Sequence, residues 1–431
     1  MDRYIKSREY LERAKKVTPG AAQTLSKMPA RFPQGAFPIF AADGLGANLY
    51  DIDGNKFVDW ICGLASITLG YGNLKVVQSI QNQLVKGINF SLPTKLEAEV
   101  AERLCPVFPC AKESGSVRFL KSGSEANEGA IRIARRATGR DVIVTVGSGY
   151  HSWHSWAAAY KPWHPGVPRQ YEELVRTFRY NDSKSLLSVL GSDVALVILE
   201  PTCHEKTTNE FLRRVVDLSH SVGALVCFDE VVCAGRWALG GGQEYFGVTP
   251  DFCTAGKGLA NGMPLACIAG PRELLKYADL VSGTFGGETL SLAAANAVLD
   301  VYESEPVIDT MWKRGKEFQD SFNATARNLK VEAECIGYPC KPKINFTQPE
   351  GDDTKGINQL CMSLFLQETA LHGMLWHPGG GNVCYALTDE DMVVTQNAIA
   401  HGLASVRKAI ERNDWSALRG NIIQPVVTVR S

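Results

Sequence analysis

The sequence predicts an α/β protein, and three observations carry that reading. Short, continuously apolar runs recur through the middle of the chain: "DVIVTVG" at 141–147, "VALVILEP" at 194–201, "ALVCFDEV" at 224–231, "DFCTAG" at 251–256 and "LACIAG" at 265–270. Because these runs do not alternate with polar residues, they read as strands buried on both faces, hence a mostly parallel sheet. Longer amphipathic stretches separate them, giving the strand–helix–strand rhythm of a sheet covered by helices.

At the start, residues 1–16 place Tyr4, Ile5, Leu11 and Ala14 among charges, an amphipathic helix. It has neither the apolar centre of a signal peptide nor the acid-poor composition of a transit peptide. "GANLYDIDGNKFVDW" then carries alternating runs on either side of Asp53-Gly54, a hairpin signal. "RFLKSGSEANEGAIRIARRATGR" reads as strand, turn and helix, with an apolar face of Ala126, Ala130, Ile133, Ala134 and Ala137. In "NEFLRRVVDLSHSVG", Phe211, Leu212, Val215, Val216 and Leu218 repeat near the helical period and Gly223 supplies the stop. Beyond about residue 305, amphipathic helices ("MWKRGKEFQDSFNATARNL") and isolated strands ("KPKINFT") predict a smaller α+β domain. The expected division is an N-terminal segment 1–65 of helix and hairpin that packs with the small domain, a large domain 66–305, and the small domain 306–431. No internal repeat or low-complexity segment interrupts it.

With 431 residues, 45 Lys and Arg against 46 Asp and Glu, and a formal net charge of -1, the chain has no block of like charge to draw nucleic acid or an anionic membrane. No stretch approaches the length of uninterrupted apolar sequence that a membrane span needs. Twelve cysteines are scattered, and Cys227 and Cys267 sit inside expected buried strands. That pattern fits reduced thiols in a cytoplasm better than a disulfide framework. Cys105 with Cys110 and Cys335 with Cys340 have a spacing open to zinc, but both pairs enclose prolines and lack a nearby histidine, so no metal is expected.

Four features fall at the ends of these strands. Ser122-Gly123-Ser124 opens a helix, where backbone N–H groups and hydroxyls favour an anionic phosphate; the plainer alternative is an N-cap with Glu125 in the first turn. Asp229 closes a buried strand, either facing a ligand or pairing with Arg236. Tyr150-His151 follows the strand at 141–147, and the histidine by itself reads as a hydrogen-bonded structural residue. Lys257, in "TAGKGLANGMP", lies between Gly256 and Gly258, which are expected to leave room for a ligand beside it. Together, a phosphate turn, a flat ring, an acid and a lysine match what pyridoxal 5'-phosphate needs. A lysine amine forms its Schiff base, and an acid keeps the pyridine nitrogen protonated so that the ring accepts electrons.

On "PTKLEAEVAERL", "SGSEANEGAIRIARRATGR", "GYHSW", "ILEP", "FDEVV", "PDFCTAGKGLANGMPL" and "GTFGGETLSLAAANA", in this order and spacing, the chain resembles a class III aminotransferase. These belong to the fold-type I pyridoxal-phosphate enzymes, and the nearest branch is that of glutamate-1-semialdehyde aminomutase. The resemblance implies a large, mostly parallel mixed-sheet domain with a smaller α+β domain. It implies that Lys257 is the Schiff-base lysine and Asp229 the pyridinium partner, the two catalytic residues. Ser122, Gly123 and Ser124 would hold the phosphate, with Tyr150 on one ring face, Val231 on the other and Glu200 nearby. Thr284 would reach the phosphate of the neighbouring subunit, so a homodimer with shared active sites is implied.

The substrate segments depart from the family. "PGAAQTLSK" has Gln23, Thr24 and Lys27 where aminomutases carry an asparagine-serine pair and an arginine, and "HPGGGNVCYALTDEDM" offers His377, Asn382 and Tyr385 where many amino-acid transaminases carry an arginine. Such replacements suit a hydroxylated or sugar-like carbonyl acceptor, with glutamate or a similar amino donor. Lys27, Trp153 and His377 are the expected substrate contacts. Trp153, His154, Trp156 and Trp163 offer a stacking wall, with core packing the alternative. An aminomutase or an epimerase on the same fold remains the close alternative. A nicotinamide-dependent dehydrogenase is disfavoured because no GxGxxG follows an early strand. A scaffold without catalysis is disfavoured by the presence of Lys257, Asp229 and the turn together.

Overall fold

The protein is described by a computed structural model over residues 3–161, 166–202, 206–347 and 354–423. Trp163 lies outside the described residues. In chain order the strands are β1 Ala41–Leu45, β2 Asn48–Asp51, β3 Lys56–Asp59, β4 Gly115–Leu120, β5 Val142–Val146, β6 Val175–Phe178, β7 Val194–Leu199, β8 Leu225–Asp229, β9 Phe252–Ala255, β10 Ala266–Pro271, β11 Ala333–Tyr338, β12 Lys341–Phe346 and β13 Met374–Leu375. The chain forms two compact units: Met1–Leu64 with Leu69–Asn73 and Asp309–Ser431, and Ala65–Thr68 with Leu74–Ile308.

In the first unit, the N-terminal helix Ile5–Val17 is held by the hairpin tip. The Asp53 carboxylate accepts from the backbone N–H of Lys6 at 2.7 Å and of Ser7 at 3.0 Å, groups that a helix start leaves without internal acceptors. This seating buries Tyr4, Ser7 and Leu11 and leaves Ile5 exposed, so the buried stripe is narrower than the apolar pattern. The β2–β3 hairpin turns at Gly54, whose φ of +87° favours glycine. The sheet runs β1-β2-β3-β13, with β13 parallel to β3, and β11 and β12 form a separate antiparallel pair. Its core includes Trp60, Phe318 and Trp376, the last two stacked at 4.8 Å.

The second unit holds a seven-stranded sheet in the order β4-β10-β9-β8-β7-β5-β6. Pairings from β9 through β8, β7 and β5 to β6 are parallel, whereas β10 runs antiparallel to both β9 and β4. Every residue of β5, β7 and β9 is buried, as continuous apolar runs require of a sheet covered on both faces. On one face the helix Gly123–Thr138 presents Ala126, Ala130, Ile133 and Ala134 to a cluster with Leu196, Ile198 and Ile268. On the other, Leu212 and Val215 of the helix Asn209–Ser221 join Val197, Val226 and Phe228. Ile131 is also buried while Ala137 is only half-buried, because the first helix is covered along its N-terminal three turns. No helix among the described residues is long and apolar enough to cross a membrane. Among the same residues no group of three or more His, Cys, Asp or Glu side chains could hold a metal ion.

Candidate active site

Parallel strands deliver their C-terminal ends to one edge of the sheet, where α/β proteins bind ligands. At that edge a cavity of about 290 Å3 is lined by Lys121, Ser122, Gly123 and Ser124 after β4, Tyr150 and His151 after β5, Glu200 after β7, Asp229 and Val231 at the end of β8, and Lys257 after β9. Ser66, Asn127, Val232 and the stretch Gly262–Leu265 complete the wall.

Lys257 follows β9 in a short 3-10 turn, Lys257–Ala260, with a φ of +46°. A left-handed backbone is costly for a residue with a Cβ and persists only where packing enforces it. The enforcement is visible next door. A Cβ on Gly258 would collide with the Thr68 hydroxyl oxygen, so the space expected beside this glycine for a ligand is filled by protein. Gly256 likewise faces Ala266, Leu265 and Val231 at ordinary contact distances. The bare Cα of Gly258 thus makes room for Thr68, whereas nothing packed against Gly256 requires a glycine.

Asp229 is buried at the end of β8, beside β9. Its Oδ2 accepts from Asn127 Nδ2 at 2.8 Å and meets His151 Nδ1 at 2.7 Å, while Oδ1 accepts from the Val231 N–H at 3.1 Å. Asn127 is fixed in turn, donating to the His151 carbonyl at 2.6 Å and accepting from Thr254 Oγ1 at 2.6 Å. A buried carboxylate is tolerable only with such partners. Arg236, the alternative partner weighed from sequence, instead donates to the Ala65 carbonyl at 3.2 Å.

The turn before the helix Gly123–Thr138 is a capping box: Ser122 Oγ accepts from the Glu125 N–H at 3.2 Å, and Glu125 Oε2 accepts from the Ser122 N–H at 3.0 Å. The Ser122 N–H is therefore committed to Glu125, contrary to its expected freedom. The N–H groups of Gly123 and Ser124, the first two helical residues, have no acceptor within a helix and lie on the cavity wall. A Cβ on Gly123 would lie 2.8 Å from both methyl carbons of Val231, so a glycine is needed for these two walls to meet. A helix start with free N–H groups, a fixed carboxylate and a primary amine around one cavity can hold a phosphate, a protonated ring nitrogen and a carbonyl carbon.

Further expected contacts are not among the residues that line this cavity. Thr284 is exposed, its carbonyl accepting from Asn89 Nδ2 at 3.3 Å, and is not on the cavity wall. Trp153 is 75% exposed and packs edge-on against His154, and it too is absent from the wall. Trp156 is buried in the core, stacked near His151, the packing role weighed against a substrate wall. Lys27 and His377 belong to the first unit: Lys27 closes the 3-10 turn Leu25–Lys27, and His377 is buried, its Nδ1 accepting from the Gly379 N–H at 3.0 Å. Burial pushes the His377 imidazole down to about 4, so it is neutral at physiological pH. Sequence reasoning missed Asn127, Lys121, Ser66 and Met263–Leu265. Asn127 had a signal, since it shares the buried helical face of Ala130 and Ala134.

The pattern of the family described as Aminotransferase class-III matches residues 31–410. The chain is 32% identical over 419 residues to the 3-aminobutyryl-CoA aminotransferase of Cloacimonas acidaminovorans (strain Evry), covering 94% of this chain and 98% of that protein. It is 31% identical over 395 residues to the glutamate-1-semialdehyde 2,1-aminomutase of Methanothermobacter thermautotrophicus, covering 86% and 90%. Among solved structures, the PLP form of the FumI protein of Sphingopyxis sp. MTA144 superposes with a TM-score of 0.87 at 24% identity, covering 97% of this chain and 98% of that one, the likeness of a shared fold. The chain belongs to the class-III aminotransferases, and pyridoxal phosphate is its cofactor.

Proposed function

We propose that the enzyme moves an amino group from an amino donor such as glutamate to a hydroxylated or sugar-like carbonyl acceptor by ping-pong transamination. The observation that carries the reading is the meeting of Lys257 and Asp229, from adjacent parallel strands, on one cavity wall. The cofactor fits the residues present: helix N–H groups at Gly123 and Ser124, a carboxylate held by Asn127 and His151, and an amine at the end of the neighbouring strand.

When bound, pyridoxal phosphate supplies an aldehyde that takes up the amino group and a ring that accepts electrons from the carbon losing its proton. Lys257 would hold the cofactor through its amine and would move the proton at the substrate carbon. Asp229 would keep the ring nitrogen protonated, and its partners Asn127, His151 and the Val231 N–H stop the carboxylate from turning away. Ser122, Gly123 and Ser124 would hold the phosphate, and Tyr150, Val231 and Glu200, on the same cavity wall, would hold the ring.

The acceptor class is read from the hydroxyl- and amide-bearing residues Gln23, Thr24 and Asn382 in the two substrate segments of the sequence. A second reading, a 3-amino acyl thioester substrate, is favoured by the 32% identical relative covering 94% of the chain. Half-reactions separate them. Glutamate should bleach the visible absorbance of the lysine-linked cofactor, and a hydroxylated ketone should restore it. If only 3-aminobutyryl-CoA bleaches it, the thioester reading replaces ours; if the amine returns to the molecule that gave it, the enzyme is an aminomutase.

We further propose a cytoplasmic homodimer in which Thr284 serves the partner's phosphate. The described cysteines are free thiols, most of them buried, which supports a reducing compartment. Leu74, Val85, Leu92 and Phe285 are large apolar side chains left exposed on the second unit, which supports a covered face between copies. Light scattering should give twice the chain mass, and the double substitution Val85→Asp with Leu92→Asp should halve it and abolish turnover. A fully active wild-type monomer would sink the dimer.

A further inference from the structure

Lys121 stands between β4 and the phosphate turn, and its ammonium is fully committed within the protein. Nζ donates to Glu288 Oε1 at 2.7 Å, to the Pro264 carbonyl at 3.0 Å and to Ser291 Oγ at 3.3 Å. An ammonium has three donors, so none is left for a ligand, although Lys121 lies on the cavity wall. Its backbone is tied as well, since the Lys121 N–H donates to Glu125 Oε2 at 2.8 Å, the same oxygen that caps Ser122. Both ends of the residue are therefore fixed, one in the capping box and one in the opposite wall.

Glu288 is an equally committed partner. It is the N-cap of the helix Thr289–Ser304, accepting from the N–H groups of Leu290 at 2.8 Å and Ser291 at 3.1 Å and from the Ser291 hydroxyl. Its side chain is only 8% exposed and that of Lys121 20%. Burial pushes this carboxyl up, but Lys121 and Ser291 outweigh it and hold it below the usual range, so it stays ionised. An ion pair so placed is specific in direction: removing either member strands the other away from water.

We propose that Lys121 and Glu288 form a clamp that locks the phosphate turn Ser122–Ser124 to the Met263–Leu265 wall of the same cavity, making Lys121 a positioning residue for cofactor binding. The clamp sets the spacing between the turn and the wall from behind, and the buried helix Thr289–Ser304 provides the fixed point. It rests on the reading that this turn holds the phosphate.

The test uses apoenzyme titrated with pyridoxal phosphate and, separately, with pyridoxal, which lacks the phosphate, followed by quenching of tryptophan fluorescence. Lys121→Met and Glu288→Gln should each weaken pyridoxal phosphate about 10- to 100-fold, the effect of losing a group that orients ligands from behind. The double variant should be no worse than the weaker single one, because the pair acts as one unit. Lys121→Arg should retain most of the affinity, and pyridoxal affinity should stay level throughout. A general loss of structure would move both ligands together and defeat the proposal. Ser124→Pro, which removes one of the two N–H donors at a first-turn position where a helix tolerates proline, separates the two layers. If it leaves the preference for the phosphorylated ligand intact, the phosphate-turn reading fails. If it removes that preference while Lys121→Met and Glu288→Gln do not, the clamp fails alone.

Discussion

Lys257→Ala should lower transamination turnover by about a thousandfold or more, the scale of losing a positioned acid–base group that also acts as nucleophile. Among the described residues the only other lysine lining the cavity is Lys121, whose three donors are engaged by Glu288, Pro264 and Ser291, so it is not free to step in. Lys257→Arg should fail as badly, because a guanidinium keeps its proton. A small primary amine added to Lys257→Ala should restore part of the rate, since it can occupy the vacated position and carry the proton. Single-turnover kinetics on cofactor-loaded protein would check this. Activity within tenfold of wild type in the alanine variant would remove Lys257 from the mechanism.

Asp229→Ala carries the second large effect, about 10²- to 10³-fold in kcat, comparable to removing one preorganised electrostatic partner of a reacting group. It should also cost about 1–3 kcal/mol of stability, because Asn127 and the Val231 N–H lose a buried acceptor. Asp229→Asn tests the charge with the shape kept, and it should lose most of the rate while melting closer to wild type. Asn127→Leu should reproduce part of both effects by freeing the carboxylate to turn. Thermal melts alongside turnover at saturating cofactor separate the two consequences. An Asp229→Ala enzyme with normal kcat would refute the assignment.

The sequence made the central sheet legible because β5, β7, β8, β9 and β10 are continuous apolar runs, a signal that survives without knowledge of neighbours. It hid β6, an edge strand whose Arg176 and Thr177 interrupt the run, and β13, only two residues long. It could not show that β10 is antiparallel, because direction depends on the connection and not on the strand's composition. Lys257, Asp229, Tyr150 and Ser122–Ser124 stood out because strand ends are visible in sequence, and all line one cavity. Lys121, Ser66 and the Gly262–Leu265 wall did not, because their places follow from long-range packing. The clearest misreading was Gly258, where Thr68, far away in sequence, occupies the space.

The left-handed backbone at Lys257 has a consequence for anyone wishing to relocate its amine. Its placement is written into the main chain: φ at Lys257, the bare Cα of Gly258 and the Thr68 side chain together fix where the Cβ points. A lysine transplanted to a flanking position, or the same turn grafted without its Thr68 support, would aim elsewhere. The reactive centre is thus portable only as a folded block, and sequence change around it should proceed by swapping side chains on a retained backbone.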